Sequence, residues 1–216
     1  MSGIKACIFD LDGVIVDTAK YHFKAWRKLA NDLGFDFTEE QNEMLKGVSR
    51  MESLRLILEI GGKTLPQDEM ERLAEQKNVE YLAFVDQMTE AEILPGVSVF
   101  LSKLKSAGIP VVLGSASKNA VRILEKINLI EHFDAIIDGT KTSRSKPDPE
   151  VFIKGAEACN TPHEHIVVFE DAPKGVQAAK AANMKTVGVG AADVLGEADT
   201  VISTFEGLEL EFLNTL

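Results

Sequence analysis

The sequence contains few cysteines and no long apolar segment. Cys7 and Cys159 are its two cysteines in 216 residues, without the spacing of a metal site or the density of a disulfide-rich secreted scaffold. No apolar run approaches the roughly 20 residues of a transmembrane helix, and residues 1–11 lack the long apolar stretch and cleavage pattern of a signal peptide. We therefore expect a cytoplasmic protein with no membrane partner, whose two thiols are buried or partly buried.

Positive charge is also scarce. Lys and Arg total 23 against 34 Asp and Glu, which gives a net charge of -11 and a pI near 4.9. Binding a nucleic-acid backbone draws on clustered Lys and Arg, and the chain has no such cluster. The composition therefore excludes nucleic acid as an expected partner, while the length is sufficient for an enzyme with a substantial core.

The most informative segment is an apolar run that ends in two aspartates. Residues 4–9 are followed by Asp10, Leu11, Asp12 and Gly13, a pattern typical of a buried strand that delivers carboxylates to the ligand-binding edge of an α/β sheet. Residues two apart on an extended segment project to the same side, and two close carboxylates repel unless a cation or a shared proton intervenes. The pattern indicates Mg²⁺ and separate nucleophile and acid/base roles. The alternative is that the two acids only end a strand and form a turn.

A second strand end carries small hydroxyl residues. The apolar residues 111–113 precede Ser115 and Ser117, and a helix is predicted directly afterwards, over 118–127. A helix N-terminus attracts phosphate through its free N–H groups and dipole. Taken alone, this segment equally fits Ser117 as an ordinary N-cap.

Two more segments complete the pattern. Lys146 lies in a proline-bracketed loop, and its compact ammonium suits a phosphoryl oxygen, although most lysines are solvated at the surface. The apolar residues 166–169 end in Glu170 and Asp171, which would complete an oxygen-only metal site or, alternatively, form a turn before a helix. Four signals from four separate segments make a phosphoryl-transfer site the favoured interpretation.

The order of apolar patterns predicts the architecture. Residues 16–88 show helical periodicity, with helices over 16–33 and 66–88, whereas from residue 93 onward short apolar strands alternate with helical segments. We predict an α/β fold, a Rossmann-like doubly wound parallel sheet core with a helical cap inserted after the first strand. The predicted core is 1–15 with 93–216, the predicted cap is 16–92, and the hinges lie near residues 17 and 94–96.

These motifs resemble those of the haloacid dehalogenase superfamily, in Asp10 to Thr18, Ser115, Lys146 and Glu170-Asp171. Within it, the chain resembles the β-phosphoglucomutase family in further segments, namely residues 21–26, 45–50, 114–119 and 133–136. The resemblance covers nearly the whole chain. It implies interconversion of β-D-glucose 1-phosphate and glucose 6-phosphate through an aspartyl phosphate, with β-glucose 1,6-bisphosphate as intermediate and activator. It also implies that the partners are small sugar phosphates. We expect a monomer, although the sequence does not by itself give the oligomeric state.

The resemblance further implies roles for individual residues. Asp10 is the expected nucleophile and Asp12 the acid/base, with Ser115 and Lys146 stabilising the transferred phosphoryl group. One Mg²⁺ per site is expected on Asp10, the backbone carbonyl of Asp12 and Asp171, with Glu170 in support. The resemblance implies that substrate is bound by Trp26, Lys46, Gly47, Val48, Ser49, Arg50, Ala116, Ser117, Lys118 and Asn119. It implies that the lid is oriented by Thr18, His22 and Lys77.

Arg50 is the residue that best distinguishes a phosphomutase from a sugar-phosphate phosphatase in this sequence. With Ser117 and Asn119 it matches the family positions that hold the phosphate that is not reacting, and its planar fork suits that purpose. From the residues alone, 46–50 also reads as an ordinary loop in which Ser49 caps the next helix. A sugar-phosphate phosphatase of the same superfamily is the alternative function, because hydrolysis uses the same acids, lysine and metal. A non-catalytic binding protein is disfavoured by the intact set of acids.

Overall fold

A parallel sheet forms the centre of the molecule. The computed structural model describes residues 3–216, so Met1 and Ser2 of the predicted core lie outside the described residues. Six parallel strands stand in the order β3-β2-β1-β4-β5-β6, with the bounds Ala6–Phe9 (β1), Val111–Gly114 (β2), Ala135–Ile137 (β3), Ile166–Glu170 (β4), Lys185–Val189 (β5) and Thr200–Ile202 (β6). The strand order reverses beside β1, so the ends of β1, β2 and β4 open into the crevice where such sheets bind ligands. The predicted fold class is confirmed.

Apolar side chains cover both faces of the sheet. Neighbouring residues of a strand point to opposite faces, so Phe9 stacks on Phe169 with centroids 4.6 Å apart in one cluster while Ile8 packs near Phe152 in the other. Helices lie over these clusters, with the bounds Val97–Ser106 (α5), Ala120–Lys126 (α6), Glu150–Ala158 (α7) and Pro173–Ala181 (α8). The core therefore fixes the ends of the central strands rigidly.

A helical insert follows the first strand, as predicted. Its helices are Ala19–Asp32 (α1), Glu39–Glu43 (α2), Arg50–Ile60 (α3) and Gln67–Val85 (α4). They share an apolar cluster of their own, built around Trp26, Leu54, Ile57 and Leu73. We call this insert the cap; the boundaries 16–92 remain a prediction.

Two chain segments connect cap and core side by side. Val16 and Ile93 form an antiparallel bridge, the Asp17 N–H donates to the Glu92 carbonyl at 3.1 Å, and the Leu94 N–H donates to the Ile15 carbonyl at 2.9 Å. The predicted hinge positions thus lie next to each other in space.

Three predicted helices are shorter than expected. The helix predicted over 16–33 begins at Ala19, because Val16 is used in bridges to Asp12 and Ile93; it ends at Asp32, and Gly34 follows with φ +89°. Those predicted over 66–88 and 118–127 are Gln67–Val85 and Ala120–Lys126. In each case apolar residues in the flanking turns extend the helical period beyond the helix itself.

The two cysteines and the helices can be assessed directly in the described residues. Cys7 is buried in β1, and Cys159 is half-buried directly after α7; both are free thiols. Among residues 3–216, no helix has the length and apolar character needed to cross a membrane.

Candidate active site

The carboxyl ends of the central strands and the cap enclose a cavity of about 520 Å³. Most of the predicted site residues line it, namely Asp10, Asp12, Thr18, His22, Trp26, Lys46, Gly47, Val48, Ser49, Arg50, Lys77, Ala116, Ser117, Lys118, Asn119, Lys146 and Asp171. Ser115 and Glu170 are buried close by without lining the cavity. The structure thus gathers residues from both the core and the cap around one space, of a size usual for small-molecule sites.

Lys146 connects the acids of two strands. Its Nζ lies 2.5 Å from Asp10 Oδ1, 2.5 Å from Glu170 Oε1 and 3.1 Å from the Gly114 carbonyl oxygen, and all three side chains are buried. Burial alone would lower the pKa of Lys146, but the two carboxylates outweigh it and raise that pKa. The interpretation of Lys146 as a solvated surface lysine is therefore wrong, and its ammonium is a fixed positive charge beside Asp10.

Asp12 is held by a threonine from the start of the cap. The Thr18 hydroxyl donates to Asp12 Oδ1, and His22 Nε2 lies 3.9 Å from the same oxygen. Burial and the negative charge of Asp10 raise the pKa of Asp12 to about 6, against the opposing effects of Thr18, Lys146 and Lys77. A carboxyl group with this pKa exchanges protons near neutral pH, which suits an acid/base.

Lys77 and His22 extend this contact into the cap. Lys77 Nζ lies 2.9 Å from His22 Nδ1, and it stands over the rings of Trp26 and Tyr81 at 4.4 and 4.6 Å. Burial, then the charges of Lys77 and Arg50, lower the pKa of His22 well below 6.5, and burial, then the charge of Arg50, lowers the pKa of Lys77 well below 10.5. The side chains predicted to orient the lid thus form a connected path to Asp12.

The donor set at the sheet edge fits Mg²⁺. Burial, then the negative charges of Glu170 and Asp10, raise the pKa of Asp171 well above 3.8, against the opposing effect of Lys46. Gly13 has φ +83°, and a Cβ at this position would overlap the Asp171 carboxyl group, so only glycine lets the backbone at residue 13 lie against that carboxylate. Oxygen ligands around excess negative charge are what Mg²⁺ requires.

The side chains of all four predicted metal ligands have polar partners. Lys146 lies against both Asp10 and Glu170, and Glu170 also accepts from the Ala172 N–H at 3.0 Å. Thr18 donates to the Asp12 carboxylate, and Lys46 Nζ lies 3.4 Å from Asp171 Oδ2. Within residues 3–216, accordingly, no three His, Cys, Asp or Glu side chains are grouped closely enough to hold a metal. A site at this edge would combine Asp10 and Asp171 with the Asp12 carbonyl oxygen, and the metal roles of all four acids stay predictions.

The loop over residues 46–50 closes the cavity from the cap side. Ser49 Oγ accepts from the Glu52 N–H at 3.4 Å, so Ser49 does cap α3, as the alternative interpretation expected. Arg50 is the first residue of that helix and faces the cavity. Gly47 has φ +73°, and a Cβ there would lie 3.3 Å from Ala172 Cβ, so the loop lies close against the core.

The core side presents Ser117 and Asn119. Ser115 Oγ accepts from the Ser117 N–H at 3.1 Å, and Ser117 Oγ accepts from the Asn119 N–H at 3.2 Å. Asn119 Nδ2 donates to Asn78 Oδ1 of the cap at 3.0 Å. Ser117 and Asn119, two of the three predicted distal-phosphate residues, therefore belong to a hydrogen-bonded turn that contacts the cap directly.

Sequence reasoning missed five cavity residues on α4. Glu71, Ala74, Glu75, Asn78 and Tyr81 line the cavity, although this helix was predicted to supply mainly apolar packing beside Lys77. A signal was present, because Glu71, Glu75 and Asn78 recur at spacings of four and three and so form a polar stripe on the helix.

Comparisons with known proteins agree with the geometry. The family model for haloacid dehalogenase-like hydrolases matches residues 4–183. The chain is 40% identical over 213 residues to the β-phosphoglucomutase of Bacillus subtilis (strain 168), covering 98% of this chain and 94% of the relative. The crystal structure of β-phosphoglucomutase from Clostridium difficile matches with a TM-score of 0.94 at 43% identity, covering 98% and 96% of the two chains. A phosphorylated carbohydrates phosphatase from Thermotoga maritima is 31% identical over 186 residues, covering 85% and 84%.

Proposed function

This chain belongs to the haloacid dehalogenase-like hydrolase family, and we propose that it is a Mg²⁺-dependent phosphomutase interconverting β-D-glucose 1-phosphate and glucose 6-phosphate. The chain is an enzyme homologous to β-phosphoglucomutase over nearly its full length. The proposal adds the reaction path, through a phosphorylated Asp10 and β-glucose 1,6-bisphosphate. It also takes the cap as residues 16–92, and the protein as a cytoplasmic monomer.

One observation carries the proposal: a single cavity has phosphate-binding chemistry at both ends. Asp10 and Lys146 supply a nucleophile and a fixed cation at the core end, while Arg50 and Asn119 face the same space from the cap and the core. A mutase must hold one phosphate while the other reacts, whereas hydrolysis of a monophosphate needs one phosphate site only. The cap over the cavity also favours transfer between sugars, because it excludes water from the aspartyl phosphate.

The buried residues suit the proposed chemistry. Asp10 attacks the phosphoryl group, while Lys146, the Ser115 hydroxyl and the Ala116 N–H stabilise the charge on its oxygens. When bound to Asp10, Asp171 and the Asp12 carbonyl, Mg²⁺ supplies charge compensation at the same oxygens.

Asp12 handles the protons in both half-reactions. It removes the proton from the attacking 6-hydroxyl and later gives that proton to the leaving 1-oxygen, which its raised pKa of about 6 permits. The aspartyl phosphate first donates to the 6-hydroxyl of β-glucose 1-phosphate. The bisphosphate then turns over and returns its 1-phosphate to Asp10, which releases glucose 6-phosphate.

Replacing Arg50 tests whether this residue binds the phosphate that is not reacting, a contact that we call the distal grip. Arg50→Ala should reduce kcat/KM for β-glucose 1-phosphate by roughly 30- to 1000-fold, because it deletes a charge-assisted contact to the phosphate from a closed site. Phosphorylation of Asp10 by acetyl phosphate, which has no second phosphate, should stay within about threefold of wild type. Arg50→Lys is the matched control and should recover only part of the loss, because a point charge lacks the fork. Parallel losses on both donors would mean that Arg50 supports only the cap's fold.

Replacing Asp12 separates its role from that of Asp10. Asp12→Ala should leave measurable phosphorylation of Asp10 by acetyl phosphate, whose leaving group needs little proton donation. Transfer to a sugar hydroxyl should fall by about 10²- to 10⁴-fold. The measurement pairs a mass-shift assay for the phosphoenzyme with a coupled assay for glucose 6-phosphate, and equal losses in both would contradict the acid/base role.

A sugar-phosphate phosphatase is the second candidate. The relative from Thermotoga maritima is named a phosphorylated carbohydrates phosphatase, and hydrolysis would use the same Asp10, Asp12 and Lys146. The two functions differ in the acceptor, which is water for one and a sugar hydroxyl for the other.

A further inference from the structure

We propose that Glu75 and Asn78 of α4 are positioning residues that join Arg50 of the cap to Asn119 of the core around the phosphate that is not reacting. The inference rests on the proposed function, because it concerns how the distal grip is assembled. Hydrogen bonds connect the four side chains in the order Asn119, Asn78, Glu75, Arg50. The path crosses from core to cap, so it exists only when the two are closed on each other.

The contact between Arg50 and Glu75 orients the guanidinium without occupying it. Arg50 Nη1 lies 3.2 Å from Glu75 Oε2, and this is a single contact on one nitrogen. A guanidinium has five N–H donors in a fixed fork, so its other edge stays available for a phosphate. The Arg50 side chain is 22% exposed, whereas that of Glu75 is 66% exposed. Packing alone therefore does not hold Glu75 in place.

Asn78 supplies the missing anchor. Its side chain is buried, and a buried amide is costly unless both of its ends are bonded. Its Oδ1 accepts from Asn119 Nδ2 at 3.0 Å, and its Nδ2 donates to Glu75 Oε1 at 3.5 Å. Asn78 thus ties the position of Glu75 to the core turn that contains Ser117 and Asn119.

Charge alone would give Glu75 the opposite role, that of a competitor of the phosphate for Arg50. A carboxylate beside Arg50 repels a phosphate and competes with it for the guanidinium, so removing Glu75 would then tighten substrate binding. The single-nitrogen contact and the link through Asn78 favour positioning instead. The two roles predict changes of opposite sign in KM, and one experiment separates them.

Three variants of the full-length enzyme make the test. Glu75→Ala and Asn78→Ala should each raise KM for β-glucose 1-phosphate by about tenfold, with kcat within about threefold, because binding to the distal phosphate is weakened throughout the reaction. Phosphorylation of Asp10 by acetyl phosphate should stay within about threefold of wild type. Glu69→Ala is the matched control. Glu69 lies on the same helix but does not line the cavity, and its Oε1 lies 3.8 Å from Arg72 Nη2, so this variant should keep the wild-type KM.

A double-mutant cycle shows whether Glu75 acts through Arg50. In the Arg50→Ala background, Glu75→Ala should change KM by less than about twofold, because the group that it positions is gone. Glu75→Gln keeps an oxygen that accepts from Arg50 and should restore KM to within about threefold of wild type. This variant also maintains the test if Glu75→Ala folds poorly.

Several results would overturn the inference. A lower KM for Glu75→Ala would make Glu75 a competitor of the phosphate, and an unchanged KM would leave it without a role. The same rise in KM with and without Arg50, or an equal loss with acetyl phosphate, would indicate a general effect on the cap. Failure of the proposed function is a separate outcome, since wild-type enzyme would then form no glucose 6-phosphate from β-glucose 1-phosphate.

Discussion

Asp10→Asn is expected to abolish turnover of every phosphate substrate, with a loss of at least about 10³-fold. An amide is a poor nucleophile, and Asp10 is the carboxylate that directly follows β1 and lines the cavity beside Lys146 Nζ, at 2.5 Å. Mass spectrometry after incubation with acetyl phosphate and Mg²⁺ should show a phosphorylated wild-type protein and an unmodified variant.

Folding provides the control for this experiment. In the Asp10→Asn variant the amide oxygen of the new side chain still accepts a hydrogen bond from Lys146, so the thermal midpoint should remain close to that of wild type. Turnover near the wild-type rate in a folded variant would rule out an aspartyl phosphate at this position.

Lys146→Ala should damage both stability and catalysis. Its ammonium lies between two buried carboxylates, and its removal leaves Asp10 and Glu170 without a counter-charge. Breaking a buried pair in this way costs about 3–5 kcal/mol of unfolding free energy. Loss of a fixed charge next to the phosphoryl group should lower kcat by about 10²- to 10³-fold.

Urea unfolding and steady-state kinetics measure the two effects separately. Lys180→Ala, on the exposed end of α8, is the matched control and should change the unfolding free energy by less than about 0.5 kcal/mol. If Lys146→Ala were as stable and active as this control, the ion pairs of Lys146 would have no energetic role.

The core side of the cavity was predictable because its candidate catalytic residues lie at the ends of strands. Asp10, Ser115 and Glu170 each follow or end an apolar run that could only be a buried strand, and parallel strands bring their carboxyl ends to one edge. Lys146 was harder to predict, since a lone lysine has no periodic pattern. Its prediction depended on the proline-bracketed loop and on the strand-end signals in three other segments, and the structure then showed it buried between two acids.

The cap end was less predictable for a physical reason. Contacts such as Asn78 with Asn119 join residues 41 positions apart, and local sequence does not encode how a cap rests on a core. Asn78 and Glu75 sit on a helix whose apolar period dominates its pattern, so their polar stripe reads as an ordinary solvated face. Helix ends were misplaced for a related reason, because tertiary bridges such as that of Val16 replace helical bonds without altering the apolar pattern.

The acceptor of the phosphoryl group tests the proposed mutase function most directly. Wild-type enzyme would be incubated with β-glucose 1-phosphate, Mg²⁺ and a trace of β-glucose 1,6-bisphosphate, and glucose 6-phosphate and inorganic phosphate would be measured in the same samples. We expect glucose 6-phosphate to form at least about 100-fold faster than free phosphate, which corresponds to a preference of about 2.7 kcal/mol for the sugar hydroxyl over water. Release of free phosphate in step with loss of substrate, without glucose 6-phosphate, would contradict the account and identify a phosphatase.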